Sequence, residues 1–356
     1  MIYKFIFLIN IITINSYFIN MHFNFELNKH NVILPLYRYW NCIGFVNDID
    51  TMTKHINKPY KFNLGNIPLV AWKNNRGEII STLNACKHMG SKLEDGKICN
   101  GKLYCPYHGL EYTTEDACGI IKKHDGKLWW SYNPIHENLP TIPFNNDTTY
   151  KTTYLSIDMP ESLPFCIYNS LDLNHPEYVH NGLGFGSNIA PENYNTYLND
   201  SNKLGISFDY MTKNSIKAIN YDIKIKDRTV NYNEVIYPVT SWSKVSSLND
   251  ITKNIIIGVT MLPLKDNLTR WYVTLRHNYM SDIIGKEIMK YATKYILNQD
   301  KSQFKKQIKN KKLKEFVSWR KGLKYENHML PLRNYYANYK LPTIDDFIIE
   351  LSKDHW

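Results

Sequence analysis

Apolar positions between Val32 and about Pro160 fall into short runs broken by turn residues, which predicts strands and tight turns rather than helices. Ile67-Pro-Leu-Val-Ala-Trp72 and Glu78-Ile-Ile-Ser-Thr-Leu83, joined across Asn74-Asn75-Arg76-Gly77, read as a β-hairpin that delivers the chain into Cys86. Gly101 to Tyr104 is a second short strand, leading into Cys105. Phe165 to Leu173 lacks Gly and Pro and is predicted helical, and Gly182, Gly184 and Gly186 mark a loop beyond it. Strands return from Lys203 to Met280: Ile216 to Lys226 partly alternates, while Ile255 to Leu262 and Trp271 to Leu275 are dense in β-branched and aromatic residues. Ile284, Ile288, Tyr291 or Ala292, and Tyr295 then recur at three- or four-residue steps, predicting a helix that ends near Asn298. Strands followed by a long helix describe an α+β fold whose antiparallel sheet curls around that helix.

With 356 residues, 43% of them hydrophobic, the chain can bury a large core and is long enough for two domains. The net charge of +10 is spread through a chain rich in Asn, Lys, Ile and Tyr. No nucleic-acid-binding motif accompanies it, so no nucleic-acid partner is expected. Lys4 precedes an apolar run, Phe5 to Ile14, that resembles a signal-peptide core, but Asn10 and Asn15 interrupt it and no small-residue cleavage site follows. The run is too short to span a bilayer. Residues 1–30 are expected to be a leader or extension, with translation beginning at Met21. Cys42, Cys99, Cys118 and Cys166 show no disulfide framework, which fits a reducing, cytoplasmic setting.

Composition bounds the protein, but Cys86-Lys87-His88 and, after sixteen intervening residues, Cys105-Pro106-Tyr107-His108-Gly109 carry its chemistry. Each half offers one cysteine and one histidine, at C-x-H and C-x2-H. That alternation divides between two irons, thiolates on one and imidazoles on the other, the ligand set of a Rieske [2Fe-2S] centre. A structural zinc site is the competing reading, although zinc quartets usually pair C-x2-C with H-x3-H or a second C-x2-C. Downstream, Asn169-Ser-Leu-Asp172-Leu-Asn-His175-Pro-Glu-Tyr-Val-His180 contains Asp-x2-His-x4-His. Two histidines with a remote carboxylate form the facial triad of non-haem Fe(II) oxygenases. Pro176 disfavours helical geometry at His175, so a helix should kink or end between the two histidines.

From about Val32 onward the chain resembles the Rieske non-haem iron oxygenases. The Asn-x2-Asp-x2-His-x4-His form with Tyr178-Val179 is most similar to the homotrimeric monooxygenase branch that contains dicamba monooxygenase. The resemblance implies an all-β Rieske domain over 31–160 and a helix-grip (START-like) catalytic domain with an antiparallel sheet over 161–356. It implies that Cys86, His88, Cys105 and His108 bind the cluster, and that His175 and His180 bind a mononuclear iron. Asp172 then hydrogen-bonds a Rieske histidine of the neighbouring subunit, matched here by His108. A carboxylate beside a ligating imidazole also fixes its tautomer and orientation, the second role expected of Asp172. Asn169 sits near the iron or satisfies buried backbone groups. The third ligand is expected late on the long helix, at Asp300, with Asp282, Glu287 and Asp345 as competitors.

In function, the resemblance implies an O2-dependent oxidoreductase that hydroxylates or oxidatively demethylates a small organic substrate. Its electrons come from a ferredoxin or an NAD(P)H-dependent reductase, and it assembles as a homotrimer. A cis-dihydroxylating dioxygenase and an electron carrier with a non-catalytic second domain are the alternatives. Ser91 and Tyr107 stand where respiratory Rieske proteins carry a disulfide, and Leu110 stands where those proteins have a Ser that hydrogen-bonds the cluster. Fewer hydrogen bonds imply a potential toward the low end, about −150 mV. Leu110 and Met89 also replace the Trp and Arg of many relatives. The basic run from Lys301 through Lys305, Lys306, Lys309, Lys311, Lys312 and Lys314 to Arg320 and Lys321 is a solvated helix face or a docking face for an acidic ferredoxin.

Overall fold

The computed structural model describes residues 35–353 except 56, 173–174, 181–191, 200–202, 212–215, 219–220, 224–227, 237, 248–251, 281, 310–331, 333–334 and 337–338. The expected leader at 1–30, the start at Met21, the glycine loop at 182–186 and the basic residues Lys311 to Lys321 lie outside the described residues.

The first half runs β1 (Asn41–Phe45), α1 (Val46–His55), β2 (Tyr60–Leu64), β3 (Ile67–Lys73), β4 (Ile79–Leu83), β5 (Lys97–Cys99), β6 (Lys102–Tyr104), β7 (Glu111–Tyr112), β8 (Ile120–His124) and β9 (Lys127–Ser131). These strands form three antiparallel sheets, β1-β9-β8, β2-β3-β4 and β5-β6-β7. β3 reads as an unbroken apolar run because both of its faces are covered. Ile67, Leu69 and Ala71 enter the main core, while Val70 and Trp72 enter a smaller core with Leu93, Leu103, Cys86, Cys105 and Tyr112. β3 is therefore the wall behind the two ligand loops. The helix α1 departs from the strand-and-turn expectation. It is polar apart from three positions, anchored by the fully buried Ile49, and Asp48 Oδ2 caps its start by accepting the Phe45 N–H at 2.9 Å.

The second half continues with β10 (Lys151–Met159), α2 (Leu163–Leu171), α3 (His175–Val179), β11 (Glu192–Asn199), β12 (Lys203–Met211), β13 (Ile216–Ala218), β14 (Tyr221–Ile223), β15 (Arg228–Ile236), β16 (Thr240–Ser247), β17 (Asn254–Lys265), β18 (Leu268–His277), α4 (Ile283–Lys309) and α5 (Ile344–Lys353). Seven strands pair antiparallel in the order β10-β18-β17-β16-β15-β12-β11. β10, within the 31–160 expected for the first domain, pairs with β18 from Lys151↔His277 to Met159↔Thr269. The alternating stretch after Ile216 is a hairpin, β13 with β14, instead of one strand.

Period-two alternation gives β18 two partners. Tyr272 donates from its hydroxyl to Ile43 O at 3.0 Å, Thr274 accepts from Lys127 Nζ, and Arg276 pairs with Asp125, so one face holds the first domain. Trp271 on the other face meets Phe304 of α4 edge-on at 6.3 Å. The helix α4 extends to Lys309, beyond the end expected near Asn298. Its buried side carries Thr293, Leu297, Asp300 and Phe304, whereas Ile284, Ile288, Tyr291 and Tyr295, the stripe that reveals the helix in the sequence, are exposed on the opposite side.

Candidate metal centres

β4 leads into, and β6 ends in, loops of one build. Cys86 N–H donates to Ser91 O and Gly90 N–H to Cys86 O, both at 2.8 Å; Cys105 N–H donates to Leu110 O at 2.9 Å and Gly109 N–H to Cys105 O at 3.1 Å. Gly90 and Gly109 occupy equivalent places with φ of +70° and +69°, left-handed backbone that side chains resist. Each loop buries its cysteine and lifts its histidine to the surface. Like groups meet: His88 Nδ1 and His108 Nδ1 lie 3.2 Å apart, and Cys105 is near enough to Cys86 to help lower its pKa. Sorting by ligand type suits two irons, each with its own pair, better than one tetrahedral zinc.

Burial pushes the Cys86 thiol up, but hydrogen bonds from the Tyr112 hydroxyl, the His88 and Met89 N–H groups and the Cys105 thiol bring it below the ordinary thiol range. That favours the thiolate, the form that ligates. Tyr112 escapes the sequence reading because its partner lies in the other loop. Its buried hydroxyl accepts the Lys87 N–H at 2.7 Å, and burial together with the Cys86 contact pushes its own pKa up to about 12, so it stays a donor. Tyr112 is thus placed to act on a cluster cysteine despite Leu110. Around the exposed histidines stand Met89, Tyr107 and Leu110, which are 64%, 63% and 41% exposed, and the Tyr107 ring lies over His108 with centroids 3.8 Å apart.

At the second centre α2 ends at Leu171 and α3 begins at His175. A helix does end between the histidines, since α3 closes at Val179, but His175 is itself helical and starts α3. The reason is positional: Pro176 occupies the first turn, where a helix has no use for its missing N–H. Asp172 Oδ1 accepts the His175 N–H at 3.3 Å as a cap. The two rings sit at opposite ends of α3, with centroids 5.2 Å apart.

From α4, Asp300 brings Oδ1 to 3.7 Å from His175 Nε2 and 3.4 Å from His180 Nε2. The ligand atoms of all three residues lie within 4.8 Å of one another. The competitors Asp282, Glu287 and Asp345 are exposed and outside this group. Asp300 is 5% exposed, and among the described residues its Oδ1 has no hydrogen-bond partner of good geometry. A buried carboxylate oxygen without a donor is costly, and a cation between it and two imidazole nitrogens removes that cost. The residues therefore fit a divalent metal.

The outer ring nitrogens are held differently. His175 Nδ1 lies 2.9 Å from the Asp172 backbone oxygen but 3.9 Å from its carboxylate, so the carbonyl orients the ring while the carboxylate caps the helix, correcting the expected role. His180 Nδ1 lies 3.0 Å from Gln299 Oε1. Burial pushes the His175 pKa down despite Asp300 and Asp172. At His180 burial acts the same way, but Asp300 and Gln299 outweigh it and the pKa is raised. Asn169 contributes its carbonyl, which accepts the Asp172 N–H at 3.4 Å; among the described residues its side chain makes no hydrogen bond to the trio.

A groove of about 670 Å³ runs along Ile283, Ile284, Glu287, Ile288, Tyr291, Ala292 and Tyr295 of α4. Tyr291 precedes Asp300 by nine residues, about two and a half helical turns, so the groove lies on the side of α4 turned away from the carboxylate.

Residues 39–134 match the Rieske [2Fe-2S] domain family. The chain is 29% identical over 147 residues to the oxygenase component of dicamba O-demethylase from Stenotrophomonas maltophilia, covering 35% of this chain and 43% of that protein. It is 33% identical over 135 residues to aminopyrrolnitrin oxygenase from Pseudomonas fluorescens, 37% of each. The chain thus spans less than half the length of these curated relatives. In fold, the crystal structure of dicamba monooxygenase bound to dicamba superposes with a TM-score of 0.68 at 14% identity, over 85% of this chain and 97% of that one. No described helix is long and apolar enough to cross a membrane. The paired Cys-His loops and the family match over them make residues 39–134 a Rieske [2Fe-2S] domain, and the two-part fold is similar to that of dicamba monooxygenase.

Proposed function

We propose that the chain is the oxygenase component of an O2-dependent oxidoreductase that hydroxylates or oxidatively demethylates a small organic substrate, with a ferredoxin or NAD(P)H-dependent reductase as electron donor. The observation that carries this reading is the convergence of His175, His180 and the orphaned Oδ1 of Asp300. When bound, the [2Fe-2S] cluster supplies single electrons and a mononuclear Fe(II) supplies O2 activation. Cys86 and Cys105 would hold one cluster iron, and His88 and His108 the other through Nδ1, leaving their Nε2 edges at the surface. His175 and His180 present Nε2 to the metal position and Asp300 presents Oδ1, so three ligands leave places open for O2 and substrate.

A homotrimer follows from the same reading, with Asp172 of one copy meeting His108 of the next. The exposure of the apolar Met89, Tyr107 and Leu110 beside the surface histidines supports it, since apolar side chains left in water at a functional loop suit an interaction surface. The test is iron and sulfide quantification with EPR on anaerobically purified protein. About three irons per chain are expected, and about two without a separate mononuclear signal would overturn the oxygenase reading in favour of a carrier. Asp172→Asn is expected to keep both centres and stop product formation; unchanged turnover refutes the bridge.

A further inference from the structure

We infer that Gln299 is a positioning residue for the mononuclear metal, selecting the tautomer and orientation of His180 through a hydrogen bond that ties α4 to α3. The inference rests on the reading of His180 as a ligand. Gln299 Oε1 lies 3.0 Å from His180 Nδ1. An amide oxygen only accepts, so Nδ1 carries the proton and Nε2 keeps its lone pair, 3.4 Å from Asp300 Oδ1. A reversed amide would place N–H groups against Nδ1, shift the proton to Nε2 and close the site to metal.

Gln299 and Asp300 are consecutive on α4, so their side chains leave the helix about 100° apart. One reaches the outer edge of the His180 ring and the other faces its metal edge. In a ring that is 3% exposed, one edge is thereby held by Gln299 and the other left facing Asp300 of the same helix before any metal binds. His175 gets the same service from the Asp172 backbone carbonyl, which no side-chain substitution removes. Gln299 is therefore the position at which ring orientation can be altered without touching a ligand.

The experiment uses full-length protein with its cluster intact and its mononuclear site emptied by an anaerobic chelator. Fe(II) is titrated back, and the EPR signal of the nitric oxide adduct reports ligand geometry. Gln299→Leu is expected to weaken Fe(II) binding about 10- to 100-fold and to alter the signal, whereas Gln299→Glu, which keeps the acceptor at the same reach, restores both. A Gln299→Leu protein that binds Fe(II) within about twofold of wild type with an unchanged signal overturns the inference, as does a Gln299→Glu protein as weak as the leucine variant. Failure of the wild-type protein itself to take up Fe(II) would instead overturn the oxygenase reading.

Discussion

Replacing Tyr112 with Phe should lower the reduction potential of the [2Fe-2S] cluster while leaving it assembled. The hydroxyl is buried, remains protonated because its pKa is pushed up to about 12, and acts on Cys86, whose pKa it helps to lower. Reduction adds one negative charge shared with the thiolates, so the interaction is stronger in the reduced state. Hydrogen bonds to charged groups contribute about 1.5–3 kcal/mol against about 0.5–1.5 for neutral ones, a difference of about 1–1.5 kcal/mol between redox states. For a one-electron couple a tenfold change is about 59 mV, so the potential should fall by about 40–60 mV. The second bond lost, from Lys87 N–H, involves an exposed residue whose amide turns to water, so the fold should lose only about 0.5–1.5 kcal/mol. A redox titration followed by EPR, with iron and sulfide measured on the same sample, reads the shift. A potential within about 10 mV of wild type in a protein with a full cluster would show that Tyr112 does not act on the cluster cysteine.

The equivalent turns make Gly90→Ala and Gly109→Ala a matched pair. No atom lies within 4 Å of either added Cβ, so each should cost about 1–2 kcal/mol through backbone conformation alone, read as a lower denaturation midpoint; very unequal costs would contradict the equivalence of the loops. Asp125→Asn should destabilise the junction between the halves by about 3–5 kcal/mol, because it leaves Lys127 and Arg276 buried without their carboxylate. Burial already holds the Lys127 pKa down, so this cost should shrink as pH rises and the lysine loses its proton, and denaturant titrations at two pH values check the sign. Fe(II) binding should be constant above the raised pKa of His180 and weaken as pH falls through it, since a protonated imidazole cannot ligate; affinity that stays flat from about pH 8 to about 5.5 would refute this.

The cluster loops are legible from sequence because their chemistry demands residue types at fixed short spacing, and the glycine that closes each turn stands four residues after its cysteine. Residues that act across long separations are not. Gln299 meets a histidine 119 positions earlier, and Tyr112 works on a cysteine in the other loop, so neither leaves a local signal. β10 reads as an ordinary strand of the first half, but its sheet is decided by β18, more than a hundred residues later. Backbone groups are equally silent: nothing in Asp172 as a residue type says that its carbonyl, not its carboxylate, will hold His175. The clearest conflict lies on α4. Its apolar stripe predicts the helix yet faces outward, while the face against the sheet carries Thr293 and Asp300 between Leu297 and Phe304. A helix whose packing face must deliver a carboxylate to two histidines cannot also be uniformly apolar there, so the site weakens the very periodicity that would have located it.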